Sequence, residues 1–267
     1  MRVMMAFLLA VLAVTADASV LCGQRFSVGN SFVPYCTNGK SGPAVFVIHG
    51  VNRNADDYLD TLDDLGTRVI APEFQAAGPG LWWDSGWRKG DRSRDATRTS
   101  SFAVVDLMAE AMGATHIIGH SAGGQFVTRY AAGTRRPGWV RFIVANPSSY
   151  LWLDASRPRQ TANCHGFNEY HYGLDDLNAY MSVGVAPDYP DRDVVYLLGS
   201  ADTRIDSNLD TSCEANAQGR NRYERGQNFY AHLGRYFGRA VHRKVIVHGV
   251  GHSYTRMIRA ARPYLPR

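Results

Sequence analysis

Short apolar runs alternate along the chain with longer segments in which apolar residues recur every three to four positions. The short runs have the length of buried strands and span residues 44–48, 68–72, 115–118, 193–199 and 244–248. The longer segments have the spacing of amphipathic helices and span residues 101–112, 124–132 and 224–237. Strands that alternate with helices are typical of parallel βαβ units. The pattern therefore predicts an α/β protein with a mostly parallel sheet.

Length and composition favour a single domain. The chain has 267 residues, of which 45% are hydrophobic, and no Pro-rich or Ser-rich linker divides it. Such a chain suits one large α/β domain with a substantial core. We predict one domain over residues 19–267, with an insertion at about 146–190 between two predicted strands.

The first 18 residues have the features of a secretory signal peptide. Arg2 precedes an apolar run over residues 3–16, and small residues stand at Ala16 and Ala18. The run is too short for a membrane-spanning helix but suits the core of a signal peptide. We predict cleavage after Ala18 and a secreted or periplasmic protein. No later segment approaches transmembrane length, so no integral membrane association is expected.

Residues 119–123, with the sequence G-H-S-A-G, join the predicted strand at 115–118 to the predicted helix at 124–132. A serine at such a junction adopts a strained conformation, and Gly119 and Gly123 leave the room that it needs. The turn holds the hydroxyl of Ser121 above the end of the sheet. We therefore predict that Ser121 is a catalytic nucleophile, and that His120 packs beside it.

A serine hydroxyl is a weak nucleophile until a base accepts its proton, so the chain must also supply a histidine and a carboxylate. In this arrangement the acid and then the histidine follow the serine, each after a later strand. Asp202 is the first acid after the strand at 193–199, and His252 lies in a Gly-rich loop after the strand at 244–248. We predict these two residues as acid and base. The competing candidates are Asp154, Asp206, Asp210 and His248.

The strand at 44–48 ends in His49 and Gly50, where an oxyanion-hole loop is expected. An oxyanion hole needs two backbone N–H groups that point at the developing alkoxide. One is expected from Ala122, directly after the nucleophile. The other is expected from Val51, with Asn52 as the second choice. A plain tight turn is the alternative interpretation of this segment.

These four elements, in this order, resemble the α/β-hydrolase superfamily over essentially the whole mature chain. Residues 49–58, with the pattern H-G-x-x-R-N-A-x-x-Y, look like a stretch of secreted esterases related to polyhydroxyalkanoate depolymerases and feruloyl esterases. The resemblance implies the α/β-hydrolase fold, with a doubly wound and mostly parallel sheet, and hydrolysis through an acyl-serine intermediate. No cofactor is expected, and no Cys/His spacing indicates a metal site.

Two regions are expected to shape the substrate pocket, because loops at the carboxyl ends of strands line the sites of open α/β sheets. The loop at residues 80–87 contains three tryptophans. Trp82 and Trp83 are predicted to form a binding wall, and packing of a long loop is the alternative. The insertion is long enough to be functional. Its aromatic residues, among them Trp152, predict a cap-like cover over Ser121 that suits a small-molecule or polymeric ester.

Four cysteines remain after the predicted cleavage. In an oxidising compartment an even number indicates two disulfides, and four cysteines allow three pairings. Cys22 and Cys36 bracket a stretch that forms a hairpin, which favours their pairing and leaves Cys164 with Cys213. Free, buried thiols are the alternative.

The net charge of +5 comes almost entirely from arginine, since the chain has only three lysines. Residues 88–98 hold five of the basic residues, interleaved with aspartates. A nucleic-acid interface needs a basic face with interleaved aromatic residues, so no nucleic-acid partner is expected and a solvated loop is favoured.

Three functions stay open at the level of sequence. The leading one is a secreted serine ester hydrolase, and the second is a serine peptidase or amidase with the same triad. The third is a binding module without catalysis. The retention of every catalytic element argues against the third, and only the substrate pocket separates the first two.

Overall fold

The computed structural model describes residues 20–136, 140–160 and 162–266. The predicted signal peptide at 1–18 lies outside these residues. Within them, eight strands form one sheet in the order β1-β2-β4-β3-β5-β6-β7-β8. The strands are β1 (Leu21–Val28), β2 (Ser31–Thr37), β3 (Ala44–Ile48), β4 (Arg68–Pro72), β5 (Ala114–His120), β6 (Arg141–Ala145), β7 (Val194–Gly199) and β8 (Arg243–Val247).

The sheet is mostly parallel, as predicted. The strands from β4 to β8 across the sheet run parallel to their neighbours. β1 and β2 form an antiparallel hairpin at one edge, and β2 pairs antiparallel with β4. Every residue of β3 and β7 is buried, because parallel strands are covered on both faces. The carboxyl ends of β3, β5, β7 and β8 lead into the loops that contain the predicted site residues.

Helices cover both faces of the sheet. They are α1 (Ala55–Asp60), α2 (Ser101–Met112), α3 (Ala122–Gly133), α4 (Cys213–Gln218), α5 (Arg222–Phe237) and α6 (Tyr254–Ala260). Successive residues of β3 belong to opposite apolar layers, as the strand period requires. Val45 and Val47 lie in the layer that includes α1 and α6, and Phe46 and Ile48 lie in the layer that includes α2, α3 and α5. Within the described residues, no helix is long and apolar enough to cross a membrane.

Capping residues set the ends of the two predicted helices outside the serine motif. α2 has its predicted bounds, because the Ser100 side chain accepts hydrogen bonds at its start and Gly113 ends it with φ 69°. α5 begins two residues earlier than predicted. The reason is that the side chain of Asn221 accepts a hydrogen bond from the backbone N–H of Glu224 and so caps the helix upstream.

The insertion between β6 and β7 packs against helices on one face of the sheet. Trp152 is fully buried and stacks on His232 of α5. The Tyr180 hydroxyl donates to Asp106 of α2 over 2.6 Å. Met181 fills the space beside Gly133 at the end of α3. The described part of the insertion thus contacts α2, α3 and α5.

Both disulfides have the predicted pairing, and all four cysteines lie within the described residues. Cys22–Cys36 joins the two strands of the edge hairpin. Cys164–Cys213 joins the insertion to the first residue of α4. The second bridge therefore links the insertion to the segment that follows Asp202.

Candidate active site

Ser121 occupies the tight turn between β5 and α3, with φ 59° and ψ −117°. This backbone conformation is rare for a residue with a side chain. The turn can form because positions 119 and 123 are glycines, and other backbone atoms approach both of them closely. A Cβ on Gly119 would lie 2.2 Å from the carbonyl oxygen of Gly123, and a Cβ on Gly123 would lie 2.1 Å from that of Ile48. Only glycine fits at either position, as the motif predicts.

The structure brings the three residues of the predicted triad together. Ser121 Oγ lies 2.9 Å from Nε2 of His252, and Nδ1 of His252 lies 2.7 Å from Oδ2 of Asp202. Asp202 is 1% exposed, whereas the side chain of His252 is 20% exposed. The geometry therefore allows a proton to pass from the serine to an imidazole that a buried carboxylate orients.

Asp202 and His252 lie on two separate loops that one side chain ties together. Asn146, at the carboxyl end of β6, accepts a hydrogen bond from the N–H of Gly199 over 2.8 Å. Its Nδ2 donates to the carbonyl oxygen of Gly251 over 3.1 Å. Asn146 is 1% exposed. Sequence reasoning missed this residue, and the available signal was a polar residue directly after a buried strand.

The competing acids and histidine have other partners or surroundings. Asp206 accepts hydrogen bonds from both terminal nitrogens of Arg222, over 2.9 and 3.0 Å. These bonds hold the pKa of Asp206 at about 2. Asp210 accepts a hydrogen bond from Tyr172, Asp154 accepts from Ser156, and His248 is exposed just beyond β8.

Arg222 was also missed by sequence reasoning. It begins α5 and is fully buried, and its Nη1 lies 3.5 Å from Oδ1 of Asp202. No local pattern distinguishes it from the many other arginines of the chain. The carboxylate of Asp202 thus faces His252 with one oxygen and a buried guanidinium with the other.

The loop predicted to form the oxyanion hole is held by the ring of His49. Nδ1 of this histidine lies 2.8 Å from the carbonyl oxygen of Gly50, and its Nε2 lies 3.1 Å from the backbone nitrogen of Phe74. Burial lowers the pKa of His49 to about 4. The ring is therefore neutral at pH 7, and it donates from Nδ1 and accepts at Nε2. Val51 follows in this loop, and Ala122 begins α3 beside Ser121.

A cavity of about 160 Å³ surrounds the hydroxyl of Ser121. Its lining residues come from the loop after β3, from α1, from the end of β5 and the serine turn, from the loops after β7 and β8, and from the start of α6: Gly50, Val51, Asn52, Asn54, Tyr58, His120, Ser121, Asn208, His252 and Tyr254. A second cavity of about 470 Å³ shares His252 and Asn208 with the first and adds Ala201, Asp202, Arg204, Asp206 and Gly251. His252 therefore lies between two spaces.

His120 packs beside Ser121, as predicted. It is buried, its Nδ1 forms a hydrogen bond of 3.0 Å with the hydroxyl of Tyr58, and its ring lies 4.7 Å from the ring of His252. Burial holds the pKa of His120 well below its usual range, so this ring is neutral at pH 7.

The structure does not bring the three predicted substrate-binding tryptophans to the serine. Trp83 and Trp152 are fully buried, and Trp82 is half-buried. Trp83 packs on Phe74 and donates its indole N–H to the carbonyl oxygen of Asp91. None of these three described residues lines either cavity beside His252. Their burial fits the packing alternative.

Known proteins match this chain at the level of structure. No protein-family model matches the sequence, and no curated protein matches it either. The poly(aspartic acid) hydrolase-1 of Sphingomonas sp. KT-1 is 25% identical, with a TM-score of 0.69 over 91% of this chain and 97% of that chain. The poly(3-hydroxybutyrate) depolymerase LpqC of Bordetella parapertussis is 22% identical, with a TM-score of 0.68 over 91% of this chain and 88% of that chain.

A third solved structure is similar to this chain at lower sequence identity. An S-formylglutathione hydrolase of Agrobacterium tumefaciens is 15% identical, with a TM-score of 0.50 over 92% of this chain and 93% of that chain. Two of these three structures are hydrolases by name and the other is a depolymerase, and each alignment covers more than nine tenths of this chain. With the observed strand order and the strand–serine–helix turn, they show that the protein is an α/β-hydrolase by fold.

Proposed function

We propose that the protein is a serine ester hydrolase in which Ser121 is the nucleophile, His252 the general base and Asp202 the orienting acid. The observation that carries the proposal is the pair of contacts centred on His252, which measure 2.9 Å to the serine and 2.7 Å to the aspartate. Both lie within the range that proton transfer and orientation require. The carboxylate is buried and the serine faces a cavity, as their two roles demand.

Acylation follows from this geometry. Nε2 of His252 accepts the proton of Ser121 while Oγ attacks the carbonyl carbon, and Asp202 stabilises the imidazolium that forms. The backbone N–H groups of Ala122 and Val51 donate to the carbonyl oxygen as it becomes an alkoxide. His252 then protonates the leaving alkoxide oxygen, the ester C–O bond breaks, and the acyl group stays on Ser121. Water attacks the acyl-serine by the same steps.

The two cavities support separate places for the two parts of an ester. His252 must reach the leaving oxygen, so the alcohol part lies on its side of the serine. We assign the acyl group to the cavity of about 160 Å³ that contains Ser121, and the alcohol to the cavity of about 470 Å³ beyond His252. The presence of a cavity on each side of His252 suits a small ester or a segment of a polyester. The polyester is in keeping with the similarity to a poly(3-hydroxybutyrate) depolymerase.

Amide hydrolysis is the second candidate. The similar structure with 25% identity is a poly(aspartic acid) hydrolase, and a chain of aspartic acid is linked by amides. The triad chemistry serves either bond, because His252 protonates an amine as readily as an alkoxide. A comparison of ester and amide substrates with the same acyl group separates the two.

We also propose that the protein works outside the cytoplasm. Two disulfides support an oxidising compartment, in keeping with the signal peptide predicted at residues 1–18.

The test is a panel of p-nitrophenyl esters of increasing acyl length, with the matching p-nitroanilides alongside. We expect ester hydrolysis that Ser121→Ala lowers by roughly 10⁶ in kcat, the scale for loss of a triad nucleophile. Ser182→Ala, at an exposed serine of the insertion, is the matched control and should keep full activity. A fluorophosphonate should label Ser121 alone. Activity of Ser121→Ala within tenfold of the wild type would overturn the proposal.

A further inference from the structure

A chain of alternating charges extends from the proposed triad into the interior. Oδ2 of Asp202 faces His252, and Oδ1 of the same carboxylate lies 3.5 Å from Nη1 of Arg222. Arg222 is 0% exposed. Among the described residues, His252 and Arg222 are the basic side chains within 4 Å of this carboxylate. Asp202 is thus shared between a titratable base and a permanent cation.

Three further hydrogen bonds hold the guanidinium in place. Nε donates to Oγ of Ser148 over 3.1 Å. Nη1 and Nη2 donate to the two oxygens of Asp206 over 3.0 and 2.9 Å, in a bidentate pair. The planar fork of an arginine fits this set of acceptors, whereas the single charged group of a lysine would reach only part of it. These hydrogen bonds therefore hold the guanidinium of Arg222 in a fixed position beside Asp202.

We propose that Arg222 is a positioning residue of this site, which fixes the carboxylate of Asp202 and places a buried positive charge on the far side of that carboxylate from His252. The inference deepens the proposed function and rests on it for its role in turnover. Its physical basis is that a carboxylate stabilises a neighbouring imidazolium, and a cation on the far side of the carboxylate opposes that stabilisation. Asp206 has the opposite effect, because its negative charge favours the imidazolium.

The other groups discussed around His252 differ from Arg222, which is both charged and buried. The His120 ring is buried and neutral at pH 7, and Tyr254 and Tyr58 line the serine cavity with their phenol rings. Arg204 lines the second cavity and is exposed. Water screens an exposed charge far more than a buried one, so Arg222 is the cation expected to dominate.

The test measures kcat/KM against pH in four variants. It compares the pH at the midpoint of the rise on the acid side. Removal of the cation in Arg222→Gln should move this midpoint up by about one pH unit, the scale for a charge several ångströms away at an effective dielectric of about 20. Arg222→Lys keeps the charge and should leave the midpoint close to that of the wild type, even where kcat falls because the fork of the guanidinium is lost. Asp206→Asn should move the midpoint down. Arg25→Gln removes an exposed arginine from β1 at the other edge of the sheet and should move nothing.

A purely structural role predicts a different result, in which both Arg222 variants lose kcat with an unchanged midpoint. That outcome, or an upward shift in Asp206→Asn, would overturn the proposal. The Asp206→Asn result stands even if Arg222→Gln fails to fold. An NMR titration of the His252 ring, assigned with His252→Gln, measures the same shifts without turnover. If the wild type shows no hydrolysis that depends on Ser121, the proposed function fails, whereas the NMR titration still decides the role of Arg222.

Discussion

Removal of the Cys164–Cys213 disulfide should destabilise the protein more than removal of Cys22–Cys36. In the chain-entropy model a disulfide stabilises by restricting the unfolded chain, and the effect grows with the length of the closed loop. The two bridges have sequence separations of 49 and 14 residues, which correspond to about 4 and about 3 kcal/mol at 25 °C. For a domain of this size, a loss of about 4 kcal/mol lowers Tm by roughly 8–16 °C.

The two bridges also differ in what they hold. Cys213 begins α4, in the segment between Asp202 and Arg222, and its partner lies in the insertion. Cys22–Cys36 lies in the hairpin at the opposite edge of the sheet from β8. Loss of the first bridge should therefore lower kcat as well as stability, and loss of the second should lower stability alone.

The assay compares the double variants Cys164→Ala/Cys213→Ala and Cys22→Ala/Cys36→Ala by urea denaturation and by ester hydrolysis below the unfolding transition. Peptide mapping of the unreduced wild type gives the pairing first. A larger loss of stability or of kcat in the hairpin variant would refute this reasoning, as would four free thiols in the unreduced wild type.

Three further predictions concern single residues. Asp202→Asn should lower kcat by roughly 10⁴ through the wrong histidine tautomer, with Asp206→Asn and Asp210→Asn below tenfold; a severe loss in either of these would reassign the acid. Asn146→Ala should lower the free energy of unfolding by about 2 kcal/mol, since it removes one buried and one partly buried hydrogen bond, and unchanged urea stability would contradict the tie between the loops. The free energy of unfolding should also fall by about 3 kcal/mol from pH 7 to pH 4 through His49. Its folded pKa of about 4 lies below the ordinary value of about 6.5, so the unfolded chain binds the proton first. Denaturation curves against pH should show this contribution as the difference between the wild type and His49→Asn, since other buried histidines such as His120 add to the total in both proteins.

Five of the eight strands described in the sheet, and two helices outside the serine motif, could be predicted because their signals are local. A parallel strand buried on both faces is a continuous apolar run, as in β3 and β7. The apolar spacing over residues 101–112 predicted α2 to the residue, and the structure shows Ser100 and Gly113 at its ends. The turn at Ser121 was predictable for the same reason, since two glycines beside a serine between strand and helix leave few other conformations.

The supporting residues could not be predicted, because their contacts join distant parts of the chain. Asn146 bonds to residues 53 and 105 positions away, and no pattern of period two or 3.6 carries such a pairing. Arg222 looks in sequence like any other arginine of an amphipathic helix. Trp83 and Trp152 show a related limit, since an aromatic residue in a long loop has the same composition signal in a binding wall as in a core.

The strained turn at Ser121 has a consequence for selection experiments. A side chain held at φ 59° and ψ −117° costs about 1–3 kcal/mol relative to a residue free to adopt that conformation. Glycine is such a residue. Ser121→Gly should therefore have a higher free energy of unfolding than the wild type, although it lacks the hydroxyl. A library screened for heat resistance alone would therefore enrich glycine at position 121. Stability and turnover are opposed at this one position, and any directed evolution of the protein has to score both.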